Sequence, residues 1–299
     1  MNVVNNLIVN FTKILPKSVV YIFAKKYVAG NTLEKAVEVV KDLNSKGIAA
    51  TMDVLGESIK TRQEAVDAKD ECLQVLEAIE ENNLDSGLSI KPTQMGLEID
   101  EDFGYDTISE IVKKAKDLNN FVRIDMEDSS VTQATIDMFK RLQTEYGNVG
   151  IVLQAYLRRT VADVKDLNKN GTNYRICKGI YVEPEEIAYK GRKEVQDNFL
   201  KSLELMLDNG NYVGIATHDD YLLEESYKMI QEKNIPKDKF EFQMLYGVKE
   251  NLRDKINADG YKMRIYVPFG EHWYAYSMRR LQENPQLAWY ITKSIFSRK

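Results

Sequence analysis

The residues with the most chemical content lie near the C-terminus, in the run 264–283. Tyr276, Arg279, Arg280 and Glu283 fall at i, i+3, i+4 and i+7, so on a helix they share one face. Two adjacent arginines offer two planar forks to a single anion, and a guanidinium keeps its charge at any working pH. An Arg-Arg pair by itself is more often a solvated helical face. The tyrosine on the same stripe points instead to a lid that binds a carboxylate. So does the Pro268 and Gly270 turn, which aims the helix back over the end of the preceding strand pattern.

Other polar residues recur at the ends of short apolar segments. In chain order they are Asp53; Lys91; Asp125 with Glu127 and Asp128; Gln154 with Tyr156; Arg175 with Lys178 and Tyr181; Thr217, His218, Asp219 and Asp220; Gln243 with Tyr246; and Arg264 with Tyr266. Ionisable and amide groups inside apolar strands cost several kcal/mol unless paired. A belt of structural ion pairs accounts for two or three of them, and a polar ligand accounts for the set. Singly they leave alternatives open. Lys91 and Asp125 form either a structural salt bridge or part of a substrate site. Lys178 suits a Schiff base or a phosphate contact, and Gly179 after it suits close backbone approach to an anionic cofactor. His218 is a structural histidine, a general base or a donor to a cofactor. With no second histidine nearby, His218-Asp219-Asp220 is a poor metal site, and none is expected. Nothing near Cys177 marks a lowered thiol pKa, so it reads as core.

The elements that must position these residues alternate. Strand character appears over 48–54, 87–91, 121–126, 150–156, 174–179, 212–217, 240–245 and 262–267, several as apolar runs of the kind buried on both faces. Helical periodicity appears over 61–83, 106–118, 130–146, 162–169, 185–207, 221–233, 248–258 and 273–283, with Gly147, Gly171, Gly210 and Gly260 at helix ends. Asp106 and Thr107 read as caps for the second of these helices. Strand and helix repeated in this way predict a single (β/α)8 barrel, a TIM barrel, over 31–299, preceded by an N-terminal helical segment over 1–30. A doubly wound open sheet is the alternative, but no Gly-x-Gly-x-x-Gly follows the first strand.

Composition bounds the partners. The chain has 299 residues, 43% hydrophobic and 29% charged, with a net charge of -5. That acidic balance argues against nucleic acid. Cys72 and Cys177 are far apart and form neither a zinc spacing nor a disulfide framework, so a reducing cytoplasm is expected. The basic and apolar stretch 6–27, with Lys13, Lys17, Lys25 and Lys26, is interrupted by Pro16 and too short in its apolar runs to span a bilayer. It is expected to pack on the domain or to touch the inner face of the cell membrane as a peripheral contact.

Seven stretches, in order, resemble monofunctional proline dehydrogenases, the flavoenzymes that begin proline catabolism. They are Ser89-Ile90-Lys91; Ile124-Asp125-Met126-Glu127; Val152-Leu153-Gln154-Ala155-Tyr156; Arg175-Ile176-Cys177-Lys178-Gly179-Ile180-Tyr181; Ala216-Thr217-His218; Phe240-Glu241-Phe242-Gln243-Met244-Leu245-Tyr246-Gly247; and Arg264-Ile265-Tyr266-Val267-Pro268-Phe269-Gly270, with Tyr276-x-x-Arg279-Arg280 after it. The resemblance implies a distorted barrel whose last helix lies over the mouth, non-covalent FAD, and oxidation of L-proline to Δ1-pyrroline-5-carboxylate by hydride transfer from C5 to flavin N5.

Carried onto this chain, the family pattern has Arg279 and Arg280 pair with the proline carboxylate, with Lys91 on its other side and Asp125 holding Lys91. Tyr276 and Leu245 enclose the ring, with Tyr181 and Tyr266 nearby. Arg175 lies against the flavin. Met126, Gln154, Lys178, Gly179, Ile180, Thr217 and His218 fall at flavin-contacting positions, and Glu283 braces the arginine helix. Asp125, Arg175 and Tyr181 are the expected catalytic set. The chain departs from the family's common residues at Cys177, Ile180 and Val182. A quinone or other acceptor would reoxidise the flavin. In 299 residues there is no room for the aldehyde dehydrogenase region of larger relatives, so a separate pyrroline-5-carboxylate dehydrogenase is expected next. The competing readings are a lysine-based aldolase or lyase using Lys178 or Lys91, and a barrel that only binds.

Overall fold

The computed structural model describes residues 20, 24–56, 59–274 and 276–278. Their frame is a closed parallel barrel of eight strands in sequence order. The strands are β1 (Ala49–Val54), β2 (Ser86–Ile90), β3 (Val122–Ile124), β4 (Val149–Gln154), β5 (Tyr174–Cys177), β6 (Val213–Ala216), β7 (Phe240–Leu245) and β8 (Met263–Phe269). β8 closes on β1 with Ala49 opposite Arg264 and Asp53 opposite Pro268. The helices α1 (Leu33–Ser45), α2 (Arg62–Glu81), α3 (Glu101–Asp117), α4 (Thr132–Glu145), α5 (Thr160–Leu167), α6 (Arg192–Asp208), α7 (Asp220–Glu232) and α8 (Glu250–Ala258) alternate with the strands. The expected barrel and all eight expected strands are present.

Side chains alternate along each strand, and the two faces differ sharply. Met52, Leu88, Ile90, Val122, Ile124, Ile151, Leu153, Ile176, Ile215, Phe242, Ile265 and Val267 point outward into one apolar layer with α1 to α8, and all are buried. Each such side chain contributes about 1.5–3 kcal/mol by leaving water. The other face, toward the barrel axis, carries Thr51, Asp53, Ser89, Arg123, Gln154, Arg175, Glu241, Gln243, Arg264 and Tyr266. Most of these are fully buried, and they are joined by hydrogen bonds across the barrel. Glycine makes room for the longest of them. A Cβ on Gly150 would meet the Arg123 guanidinium, and one on Gly214 would meet the Gln243 amide.

Local chemistry sets the helix ends. Thr61 caps α2 in a reciprocal box: its hydroxyl accepts from Glu64 N (3.2 Å), and the Glu64 carboxylate accepts from Thr61 N (3.0 Å). Gly147, Gly171, Gly210 and Gly260 follow helical segments with positive φ, as expected. Two boundaries differ from the sequence reading. The third helix starts at Glu101, where the Asp100 carboxylate accepts from Phe103 N (2.9 Å), and Gly104 lies inside it because its missing side chain lets the helix pack on the Leu97 backbone. The sixth starts at Arg192 instead of 185. Residues 184–190 double back so that Ala188 pairs with Leu157, and Lys190 donates to the Glu183 carbonyl. α1, unread in the sequence, packs against β1 and β8.

Of the N-terminal segment expected over 1–30, Val20 and 24–30 are described. Ala29 N donates to Pro268 O (2.9 Å) and Gly270 N to Gly30 O (3.0 Å), which ties this segment to the end of β8. Val20, Tyr27 and Val28 pack with Leu55 and Tyr276. No helix among the described residues is long and apolar enough to cross a membrane. Replacing Thr61 by Ala removes one bond of the α2 box and is expected to lower unfolding free energy by about 1 kcal/mol, read by urea denaturation.

Candidate active site

The C-terminal ends of the strands open into a cavity of about 700 Å³. Its floor is the polar interior of the barrel. At the centre, Asp125 just past β3 accepts three bonds. Oδ1 takes Arg175 Nη1 (2.7 Å) and Ser89 Oγ (2.9 Å), and Oδ2 takes the Tyr266 hydroxyl (2.8 Å). Burial, and then the Asp125 carboxylate, push the Tyr266 hydroxyl well above its ordinary range, so it stays a donor. Arg175 also donates Nε to Gln243 Oε1 (2.6 Å) and lies 5.3 Å from the Tyr266 ring centroid.

Lys91, the residue after β2, donates to both oxygens of Asp53 (2.7 and 2.9 Å), and both residues are buried. Burial alone would lower the Lys91 ammonium, but the Asp53 carboxylate, with Asp125 behind it, holds it above the ordinary lysine range. Burial pushes the Asp53 carboxyl up while the Lys91 charge pulls against it. The expected Lys91–Asp125 pairing is therefore corrected. Asp53 stands beside Ser89 in the register of β1 with β2, and this brings it to Lys91, while Asp125 is already engaged by Arg175, Ser89 and Tyr266.

The expected cofactor residues line the same cavity: Met126, Gln154, Lys178, Gly179, Ile180, Thr217 and His218. Gln154 Nε2 donates to Met126 O (3.1 Å), whereas its buried Oε1 has no hydrogen-bond partner among the described residues. Gly179 has φ 102, and a Cβ there would run into the Tyr156 ring, so the backbone passes this point closely as only glycine can. Lys178 pairs with Asp219 (3.3 Å), which also accepts from Gln196 (3.1 Å) and Arg192. Burial alone would raise the Asp219 carboxyl, but Lys178, Gln196 and Arg192 hold it below its ordinary value. His218 Nε2 accepts from Leu245 N (3.0 Å), which places its ring proton on Nδ1 in the neutral form. An orphaned acceptor, a glycine cradle and apolar walls from Val152, Ala216 and Met244 suit a flat heteroaromatic cofactor. Among the described residues no group of three or more His, Cys, Asp and Glu is arranged to hold a metal ion.

The expected substrate residues Lys91, Leu245, Tyr266 and Tyr276, and the catalytic candidates Asp125, Arg175 and Tyr181, line the cavity as well. Arg279, Arg280 and Glu283 lie outside the described residues. Of the departures from the family pattern, Cys177 and Ile180 line the cavity, while Val182 does not and is 98% exposed. Sequence reasoning passed over Tyr27, which reaches the cavity from the N-terminal segment. It named Asp53 and Gln243 without giving them a role. Alternation along the strands marks both of the latter as inward-facing, and no signal marked Tyr27. Two carboxylates pin the loops around the mouth. Glu127 accepts from Thr93 N (2.9 Å) and Oγ1 (2.6 Å), and Glu183 accepts from Ser129 N (2.7 Å) and Oγ (2.6 Å).

Beneath this layer, Glu241 Oε1 accepts from Gln243 Nε2 (2.6 Å) and Arg264 Nε (2.6 Å). A second cavity of about 460 Å³ opens there toward the N-terminal ends of the strands. In barrel enzymes chemistry belongs to the opposite end, and the upper cavity is where the sequence-derived site residues converge.

Fold and site together define a (β/α)8 barrel enzyme with a charged interior and a cofactor-sized cavity at its mouth. The proline dehydrogenase family model matches residues 36–289. Proline dehydrogenase 2 of Bacillus subtilis is 40% identical over 262 residues, covering 88% of this chain and 86% of that protein. Proline dehydrogenase of Deinococcus radiodurans is 35% identical over 277 residues, covering 91% and 89%. Among solved structures, proline utilization A from Bdellovibrio bacteriovorus, inactivated by N-propargylglycine, superposes with a TM-score of 0.82 at 28% identity. The similarity covers 88% of this chain and 33% of that longer one. The chain belongs to the proline dehydrogenase family.

Burial alone would raise the Glu241 carboxyl, but Arg264 beside it brings it down from 4.5 to about 2. A folded-state value below the unfolded one contributes stability that is present above pH 4.5 and lost as pH falls toward about 2. Across that window the decline in unfolding free energy is expected to be shallower in Glu241→Gln than in wild type by on the order of 3 kcal/mol. Urea titrations at stepped pH measure it.

Proposed function

We propose that this chain binds FAD non-covalently in the upper cavity and oxidises L-proline to Δ1-pyrroline-5-carboxylate. The observation that carries the reading is the meeting, in one cavity, of two buried and paired cations, Lys91 and Arg175, with the unpaired Gln154 acceptor and the Gly179 cradle. When bound, FAD supplies the acceptor for the hydride that leaves proline C5, while the adjacent nitrogen loses its proton and the C=N bond forms.

The protein's part is binding, orientation and electrostatics. Gln154, Met126, Lys178, Gly179, Ile180, Thr217 and His218 would hold the cofactor. Lys91, kept charged by Asp53, offers a fixed ammonium to the substrate carboxylate, and Arg279 and Arg280 complete the clamp. Leu245, Tyr276 and Tyr181 wall the pyrrolidine ring and exclude water. Asp125 holds both Arg175 and Tyr266, so a cation and a phenol face the reacting centre without having to reorganise. Orientation matters because donor and acceptor atoms must approach within about 3–3.5 Å. A quinone or other acceptor takes the electrons onward, and a separate pyrroline-5-carboxylate dehydrogenase takes the product. The setting is the cytoplasm, with a peripheral contact at the inner membrane face through the basic N-terminal residues.

The lysine-based aldolase reading fares worse. A Schiff-base lysine must be neutral to attack a carbonyl, whereas Lys91 is clamped by both oxygens of Asp53, which raise it above the ordinary lysine range, and Lys178 is paired with Asp219.

The purified protein is expected to show a flavin absorption band that bleaches on anaerobic addition of L-proline. A colourless protein that borohydride traps covalently with a carbonyl substrate would sink the reading. Arg280→Met is expected to retain FAD while KM for L-proline rises by roughly 150-fold or more, since removing one member of a desolvated charge pair costs about 3–5 kcal/mol. An unchanged KM in steady-state assays would remove the clamp.

A further inference from the structure

We infer that Gln243 is a positioning residue that aims the Arg175 guanidinium into the upper cavity, and that Glu241 fixes the orientation of the Gln243 amide on which this depends. The inference deepens the proposed function and rests on it. Arg175 has two anchors at one end, because Asp125 Oδ1 (2.7 Å) and Ser89 Oγ (3.2 Å) both meet Nη1. Contacts at a single nitrogen leave the planar group free to swing. Gln243 Oε1 accepts from Nε (2.6 Å) and locks the other edge. Nη2 then remains without a hydrogen bond among the described residues, at a side chain that lines the cavity.

An amide can hold Nε of an arginine only through its oxygen; flipped, it would set donor against donor. Glu241 selects the flip. Its Oε1 accepts from Gln243 Nε2 (2.6 Å); were the amide flipped, its oxygen would face the carboxylate oxygen, acceptor against acceptor. Glu241 is itself 1% exposed and is held by Arg264 Nε (2.6 Å), whose Nη1 donates to Ala50 O (2.6 Å). Orientation thus passes from the β1 backbone through Arg264, Glu241 and Gln243 to Arg175.

Two independent features agree. Gly214 on β6 faces the Gln243 amide, and a Cβ there would overlap it, so the neighbouring strand leaves a slot of the amide's shape. Arg175 and Gln243 also line both the upper and the lower cavity, so their contact is the floor that separates the two.

Two variants reach Gln243 from different sides. Gln243→Leu removes the acceptor at similar volume. Gly214→Ala displaces the amide without altering any member of the relay, and it carries the test should Gln243→Leu fail to fold. In both, crystal structures are expected to show the Arg175 guanidinium turned from its wild-type position. FAD content stays near wild type, while the thermal midpoint of the FAD-free protein falls, because Arg175 Nε is left as an unpaired buried donor. The kcat for L-proline is expected to fall roughly 10- to 100-fold, the scale of one hydrogen bond to a charged group, while KM changes little. The midpoint potential of the bound FAD shifts to more negative values, because a guanidinium fixed beside the cofactor favours its electron-rich state. Arg175 unmoved, with kcat and potential at wild-type values, overturns the inference. A wild-type protein that does not bleach with proline overturns the proposed function instead, and the crystal structures of the variants still decide whether Gln243 aims Arg175.

Discussion

The contact between Asp125 and Arg175, 2.7 Å long and largely buried inside the barrel, constrains nearly everything around it. A lone buried charge is untenable, and a buried pair is tolerable only when its remaining donors and acceptors are also satisfied. Ser89, Tyr266 and Gln243 meet most of that demand from three further strands, leaving Arg175 Nη2 for the cavity, and Glu241 and Arg264 meet the demands of Gln243 in turn. The interior of this barrel is therefore one hydrogen-bonded network instead of layers of aliphatic side chains. Deleting a member would strand its neighbour without solvent. That is a constraint on specificity of structure more than a source of net stability.

Stability comes from the other side of the strands. The outward-facing Ile, Leu, Val, Phe and Met side chains meet the helices in a single apolar layer, and their burial offsets the cost of enclosing polar groups along the axis. The division of labour follows from alternation: every second position along a strand can be chemical because the ones between are structural. Gly150 and Gly214 extend it, since each yields its volume to a long polar side chain on a neighbouring strand.

The two ends of the described chain meet at the mouth. Tyr27 from the N-terminal segment and Tyr276 from the start of the last helical segment share a small apolar cluster with Leu55, and both line the upper cavity. Gly247, with φ 71, passes so close to the Lys26 carbonyl that no side chain would fit there. The wall of the site is thus assembled from segments more than two hundred residues apart. Carboxylates at Glu127 and Glu183 hold the intervening loops by their backbone amides.

Periodicity, together with the missing dinucleotide turn, was enough to set the strand and helix alternation after α1, the closed barrel and the end of it that carries the polar residues, because these follow from local alternation and turn chemistry. Residue order likewise marked Asp125, Arg175, Gln154, Lys178 and Tyr266 as members of one site. Partner choice was another matter. Lys91 went to Asp53, not Asp125, because that choice depends on strand register and on which carboxylate a distant arginine has already taken. The starts of α3 and α6 moved because Gly104 and the 184–190 turn answer to packing across the surface, which no local pattern encodes. Tyr27 joined the cavity only because the backbone before β1 is tied to the end of β8. Contacts between segments far apart in the chain are fixed by barrel closure, and the geometry of closure exists only in three dimensions.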